Sequence, residues 1–146
     1  MADEPWYISP KAWEAFISQA TSQELENLLD TLPQNDIRRY RLVCLAVFQA
    51  QFDNALTLLE EGGEFFEKEN YAAGLHAYVR QRLGLKITLR SPLQSDDLHA
   101  KEDMLYWYIA WALHDATHQE LYAARGLLVK ARTLASELGL MYSLKL

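Results

Sequence analysis

Apolar residues return every three or four positions along most of this chain, a period that fits one face of an α-helix. Glycine and proline are scarce, 6 and 4 of 146 residues, and most of them punctuate the apolar runs. Ser9-Pro10 is a helix start, because proline has the backbone angle of a first turn already set. Behind it Trp13, Phe16, Ile17 and Ala20 form one helical face. Thr21 and Glu24 have capping-box spacing ahead of Leu25, Leu28, Leu29 and Leu32, and Pro33 stops this second helix. Asn35 or Asp36 caps a third, whose buried stripe is Ile37, Tyr40, Val43, Cys44, Val47 and Phe48.

A break at Gln51-Phe52 leads to Asp53 and a fourth helix over 55–61, ended by Gly62-Gly63. The fifth is expected over 64–83 with Gly84 as its C-cap. The sixth begins near Ser95-Asp96-Asp97, whose acids suit a helix N-terminus, and continues to Ala116. The seventh runs over 119–138 and Gly139 caps it. Seven helices with short connections predict an all-α fold.

One stretch keeps a different rhythm. Leu85, Ile87 and Leu89 alternate with Lys86, Thr88 and Arg90, a period of two that signals a strand. Residues 140–146 alternate more loosely. Two readings stand: extended connectors that bury alternate side chains, or a small ribbon paired within one chain or between two.

A chain of this length fits a single domain, 1–146, and with half its residues hydrophobic it can bury a core without staples. The formal charge of −6 favours solubility and disfavours non-specific binding to nucleic acid or anionic membrane. Cys44 is the lone cysteine, so no internal disulfide points to an oxidising compartment. The opening MADEPWYISP has neither the basic nor the apolar region of a signal peptide. The longest apolar run, 104–113, is about half of a membrane span. A cytoplasmic location is expected.

Two segments carry a helical-repeat pattern. In the last helix Ala124, Leu128 and Ala131 are followed by Leu134 and Leu138; in the fourth, Ala55, Leu59 and Gly62 keep the same spacing, with Phe52 three residues ahead. This arrangement resembles the second helix of a tetratricopeptide repeat, and Ala50-Gln51-Phe52-Asp53-Asn54-Ala55 resembles that family's inter-helix turn. Leu42-Val43 and Ala46 stand where the family's first helix has a leucine, a small residue and an aromatic. Ala55 and Ala124 lie 69 residues apart, close to twice the family's period of roughly 34. The proline that follows each repeat in the family is missing, and the middle unit's second helix falls on 85–92, so the likeness covers roughly half of the chain.

Degenerate repeats of this kind are similar to those in the sensor regions of large bacterial transcription activators. The resemblance implies a right-handed stack of antiparallel helical hairpins, an α-solenoid, with a concave groove that binds peptide or protein.

The run 104–113 is apolar all round, as a central buried helix is. Tyrosine and tryptophan also dominate binding hot spots, through large area and a polar handle. For a peptide site the residues are Tyr78, Trp107, Tyr108 and Trp111. Charge is blocky: residues 1–36 hold seven acids and one base, whereas 71–95 hold Arg80, Arg82, Lys86 and Arg90 and no acid. Arg38, Arg39 and Arg41 make a second cluster. These bases read either as solvated faces paired with the acidic blocks, or as a strip that grips an acidic peptide, carboxylate or phosphate. Arg80 and Arg82 join the partner-binding set on the second reading.

His114 and His118 are one helical turn apart, the spacing of paired metal ligands, and Glu102, Asp103 and Glu120 offer carboxylates; histidine at a helix C-terminus is also favourable for dipole reasons alone. Cys44 on an apolar stripe reads as a buried structural thiol. No phosphate-cradling glycine loop or nucleophile elbow is present in the sequence.

The expected function is therefore a non-enzymatic interaction module, adaptor, chaperone-like or regulatory, which binds a partner segment and needs no cofactor. The last helix is amphipathic and no polar helix follows to cap the stack, so a homodimer or a piece of a larger regulator is expected. Two other classes stay open. One is a nucleic-acid-associated regulator working through Arg38–Arg41 and 80–90; the other is a metal-dependent helical enzyme using His114 and His118.

Overall fold

In the computed structural model, which describes residues 10–17, 19–31, 36–61, 72–87, 92 and 98–140, the helical period becomes seven helices among those residues. They are α1 (Pro10–Ile17), α2 (Ser22–Asp30), α3 (Asp36–Phe48), α4 (Phe52–Glu61), α5 (Ala73–Arg82), α6 (Leu98–Thr117) and α7 (Leu121–Leu138). The fold is all-α as expected, with no strand among the described residues and with neighbouring helices packed as antiparallel hairpins.

Local chemistry sets the helix ends. The Thr21 hydroxyl accepts the Glu24 N–H at 3.2 Å, which starts α2. At the other end Arg38 Nε donates to the Leu29 carbonyl at 2.7 Å, so a side chain of α3 satisfies a terminal carbonyl of α2.

Four helices end the same way. Ala50, Gly84, Gln119 and Gly139 hold φ of 59°, 74°, 61° and 72°. The next N–H in each case bonds to the carbonyl five residues back: Gln51 to Ala46, Leu85 to Arg80, Glu120 to Asp115 and Leu140 to Ala135, at 2.8 to 2.9 Å. This left-handed cap satisfies carbonyls that a helix end leaves open. The first three caps, at 50, 84 and 119, are spaced by 34 and 35 residues. After Ala50 and after Gln119 a new helix begins at once, and Ala55 and Ala124 take equivalent buried places in it, 0% and 4% exposed.

Several boundaries and faces correct the sequence reading. The fifth helix begins at Ala73 rather than 64, with Ala72 in a non-helical conformation; 64–71 lie outside the described residues. The fourth begins at Phe52, three residues ahead of the expected start. Phe48, expected on the buried stripe of α3, is 54% exposed because it is the last residue of that helix, and Phe16 is 38% exposed. Leu85 is exposed and Ile87 buried, with no strand pairing over 85–87. The rest of the alternating segment, 88–90, and the tail 141–146 lie outside the described residues, and the ribbon reading with them.

The core has two main parts. Trp13, Leu25, Leu29, Val43, Leu59, Leu75 and Val79 join α1 to α5. Leu105 and Ile109 of α6 meet Ala131, Ala135 and Leu138 of α7. Each fully buried leucine or valine here contributes about 1.5–3 kcal/mol. A smaller cluster of Ala77, Ile87 and Ala110 links α5 to α6. Helix α6 is the hub, since it packs on α5 and α7 and touches α1.

Candidate functional site

Where α3, α5 and α6 meet, the interior is polar. Arg41 is fully buried and its two terminal nitrogens donate to the two carboxylate oxygens of Glu102, at 2.6 and 2.9 Å. That bidentate geometry is the strong form of an ion pair. Burial alone would lower the Arg41 pKa; the facing Glu102 carboxylate outweighs it and raises the value, so the guanidinium stays charged. Its plane lies 5.1 Å from the Trp13 ring centroid.

One residue on, the Asp103 carboxylate takes three donors: Tyr40 Oη at 2.8 Å, the Gly74 N–H at 2.8 Å and the Leu75 N–H at 2.9 Å. The two amides belong to the first turn of α5, where a helix has unpaired donors and a positive end. Asp103 is therefore the N-cap of α5, supplied by another helix. Burial pushes its carboxyl up to about 7, against the downward pull of those three donors. Burial also raises the Tyr40 phenol well above its usual range, helped by Asp103.

Gly74 lets the two helices come this close. A Cβ there would run into the Asp103 carbonyl and stand 3.1 Å from the Trp107 nitrogen. Cys44 completes the junction at 3.7 Å from Arg41 Nη1; burial pushes its thiol up to about 12, as a structural thiol and not a reactive one. The junction's donors and acceptors are engaged with one another, so its chemistry is to hold three helices together.

The residues nominated from sequence are distributed around α6. Trp107 and Trp111 are half-buried, their ring centroids 5.6 Å apart, and pack toward Ala77 and Ile87. Trp111, His114 and His118 continue the ladder at 5.0 and 4.2 Å. Tyr108 instead packs toward α7, with the Lys130 ammonium 6.0 Å from its ring centroid. Tyr78 lies 5.6 Å from Tyr106 and 6.4 Å from Phe52, and Arg82 covers Phe52 at 5.1 Å. Arg80 Nε donates to the Lys86 carbonyl at 2.6 Å, which fixes the turn after α5. Thus Tyr78, which reaches Phe52, packs against the same Ala77–Ile87–Ala110 cluster as the two tryptophans and against the α6–α7 cluster that Tyr108 joins, while Trp107 and Trp111 do not share the surroundings of Tyr108.

The second basic cluster turns inward. Arg41 is in the junction, and Arg38 is 9% exposed, bonded to Leu29 and 3.4 Å from Asp30. Glu102 and Asp103, which the sequence offered as metal carboxylates, are both in the junction. Among the described residues no three His, Cys, Asp or Glu side chains are placed to hold a metal ion. None of the described helices is long and apolar enough to cross a membrane.

Two features escaped sequence reasoning. The junction has a signal in retrospect: Arg41 stands on the apolar stripe of α3 beside Tyr40, and Glu102-Asp103 immediately precede the most apolar run in the chain. The other is the outer face of α7. Leu121, Tyr122 and Val129 are 68%, 94% and 58% exposed, and Leu128 is 37% exposed at their edge. Leu121, Arg125, Leu128 and Arg132 form one row at helical spacing, with Tyr122 and Val129 in the next, and both arginines are exposed. These apolar residues lie off the Ala124–Ala131–Ala135–Leu138 stripe that packs on α6, which is the signal that distinguishes them.

No protein-family model, curated protein or solved structure matches this chain.

Proposed function

We propose that this chain is a helical-repeat binding module that holds a partner protein on the outer face of α7 and performs no turnover. The observation that carries the reading is the exposure of Leu121, Tyr122 and Val129 on one helix. Single exposed apolar residues are ordinary, whereas a contiguous apolar patch with a polar rim is characteristic of an interface. Arg125 and Arg132 among them favour a partner helix that carries an apolar stripe with carboxylates beside it.

The spacing of the caps supports the tetratricopeptide-like part of this reading. Caps at 50, 84 and 119 repeat at that family's period of roughly 34 residues, and Ala55 and Ala124 occupy matching buried sites after two of them. On this reading α3–α4 and α6–α7 are repeat hairpins of an α-solenoid, and α5 is the first helix of a middle unit. The buried junction keeps the hairpins rigid, and Tyr108 on α6 braces the terminal helix from behind.

A photo-crosslinking residue placed at Tyr122, with the same residue at exposed Thr57 on α4 as the control, tests the reading. One specific protein adduct at 122 and none at 57 is expected. An adduct of twice the chain's mass would make the partner a second copy. Equal, diffuse adducts at both positions would remove the docking face.

A further inference from the structure

The exposed face of α7 has a counterpart elsewhere on the same chain. Between α2, α3 and α4 lies an open hollow of about 290 Å³. Leu42, Leu45, Ala46 and Leu58 give it an apolar floor, and α2 sets Glu26 and Asp30 at its edge. No basic side chain lines it among the described residues. A cavity of roughly 150 Å³ holds a benzene, so this hollow admits one or two aliphatic side chains.

The two surfaces carry opposite charge. Helix α2 has Glu24, Glu26 and Asp30 and no base, and all three acids are exposed. Asp30 meets Arg38 at 3.4 Å through one oxygen while its side chain stays 74% exposed, so it keeps acceptor capacity toward solvent. Helix α7 has Arg125, Lys130 and Arg132, and its one acid, Glu137, lies 3.8 Å from Lys101 of α6. A leucine row flanked by arginines therefore matches an apolar floor edged by carboxylates. The row 121–132 is about 16 Å long and the nine residues of α2 about 13 Å, so each has the length to lie along the other.

Two α7 faces make a poorer match. Two-fold pairing through the row of Leu121, Arg125, Leu128 and Arg132 sets arginine against arginine, with no carboxylate in either row. Within one molecule α7 packs on α6, whereas the hollow belongs to α2, α3 and α4, so the match is met between molecules.

We propose that the partner of the α7 face is a second copy of this chain, which receives Leu121 and Leu128 in the hollow between α2, α3 and α4 and pairs Glu26 and Asp30 with Arg125 and Arg132. This inference rests on the docking reading of α7 and specifies its partner. The contact is heterologous, because it joins a patch to a different pocket, and each copy carries both.

The test is light scattering on the purified whole chain up to high micromolar concentration, with two charge variants checked for an unchanged helical spectrum. The wild type is expected to exceed the monomer mass as concentration rises. Arg125→Glu/Arg132→Glu removes the face, and Glu26→Lys/Asn54→Lys reverses the hollow at two exposed positions without touching Asp30 or Arg38. Each variant alone is expected to stay monomeric. Mixed in equal amounts they should associate again, since one keeps the native hollow and the other the native face.

A wild type that stays monomeric throughout would overturn the inference. So would association that survives in the hollow variant, because α7 would then be meeting something other than α2–α4. The photo-crosslinker at Tyr122 decides the question on the native surfaces even if a charge variant does not fold. Adducts to peptides of α2 or α4 from a second copy are expected, and adducts to α7 itself would contradict the contact. A different protein captured at 122 by a chain that remains monomeric would end this inference and leave the docking face standing; no specific adduct at all would remove both.

Discussion

The carboxylate of Asp103 accepts the Gly74 N–H at 2.8 Å, and the main chain of the same aspartate occupies the space where a side chain at Gly74 would stand. The cap of α5 and its close approach to α6 are thus one contact between two residues. Gly74→Ala must push α6 away from α5 and lengthen the capping bond. A loss of about 3 kcal/mol or more in urea unfolding is expected. Gly126 is the control, because a Cβ there meets nothing within 4 Å. Gly126→Ala in the middle of α7 is expected to stabilise by about 0.5–1 kcal/mol, through helix propensity and a less flexible unfolded chain.

The pH dependence follows from Asp103, whose carboxyl rises from the ordinary 3.8 to about 7 in the folded chain. Below pH 3.8 both folded and unfolded states hold the proton and the group contributes no difference. Between there and pH 7 the unfolded state releases its proton first, so this group makes folding progressively less favourable as pH rises; above pH 7 the penalty is constant. The stability advantage of the wild type over Asp103→Asn should narrow by on the order of 1 kcal/mol or more between pH 4 and 8. An advantage that widens instead would mean that the three donors outweigh burial.

Arg41 and Glu102 should behave as a pair. Arg41→Met leaves a buried carboxylate without its counter-charge, and Glu102→Leu leaves a buried guanidinium; each is expected to cost about 3–5 kcal/mol. The double variant removes both charges, so it should be far more stable than the sum of the single losses implies, and can approach the wild type. Chemical denaturation of the four proteins gives the coupling directly.

Much of the helical layout was legible, because amphipathic periods and caps are local. The Thr21–Glu24 cap, the Gly84 and Gly139 stops and the burial of Tyr40, Val43 and Cys44 follow from nearby residues. The start of α5 was not legible for the opposite reason: its cap is Asp103, 29 residues away in sequence. Arg41 read as part of a basic strip because its partner Glu102 is 61 residues distant. Ala50 and Gln119 hide their left-handed caps, since glycine is the usual marker of that conformation. The aromatic residues of α6 were legible as a group, but not the divergence of Tyr108 from Trp107 and Trp111, which depends on where α5 and α7 pack.

Cys44 is 2% exposed, and its thiol is pushed up to about 12. It should not react with a disulfide reagent in the folded chain at pH 8, and should react fully once the chain is unfolded in denaturant. Rapid labelling of the native protein would show that α3 opens locally.

The central claim is that the outer face of α7 docks a partner, and the most direct measurement compares wild type with Tyr122→Glu/Val129→Glu. Both positions are exposed, at 94% and 58%, so the thermal midpoint should be unchanged within experimental error. The proteins that crosslink to or co-purify with the wild type should be lost from the variant, including a second copy of the chain if that is the partner. If the variant keeps its fold and holds the same partners with the same affinity, the interface is elsewhere and the account is contradicted.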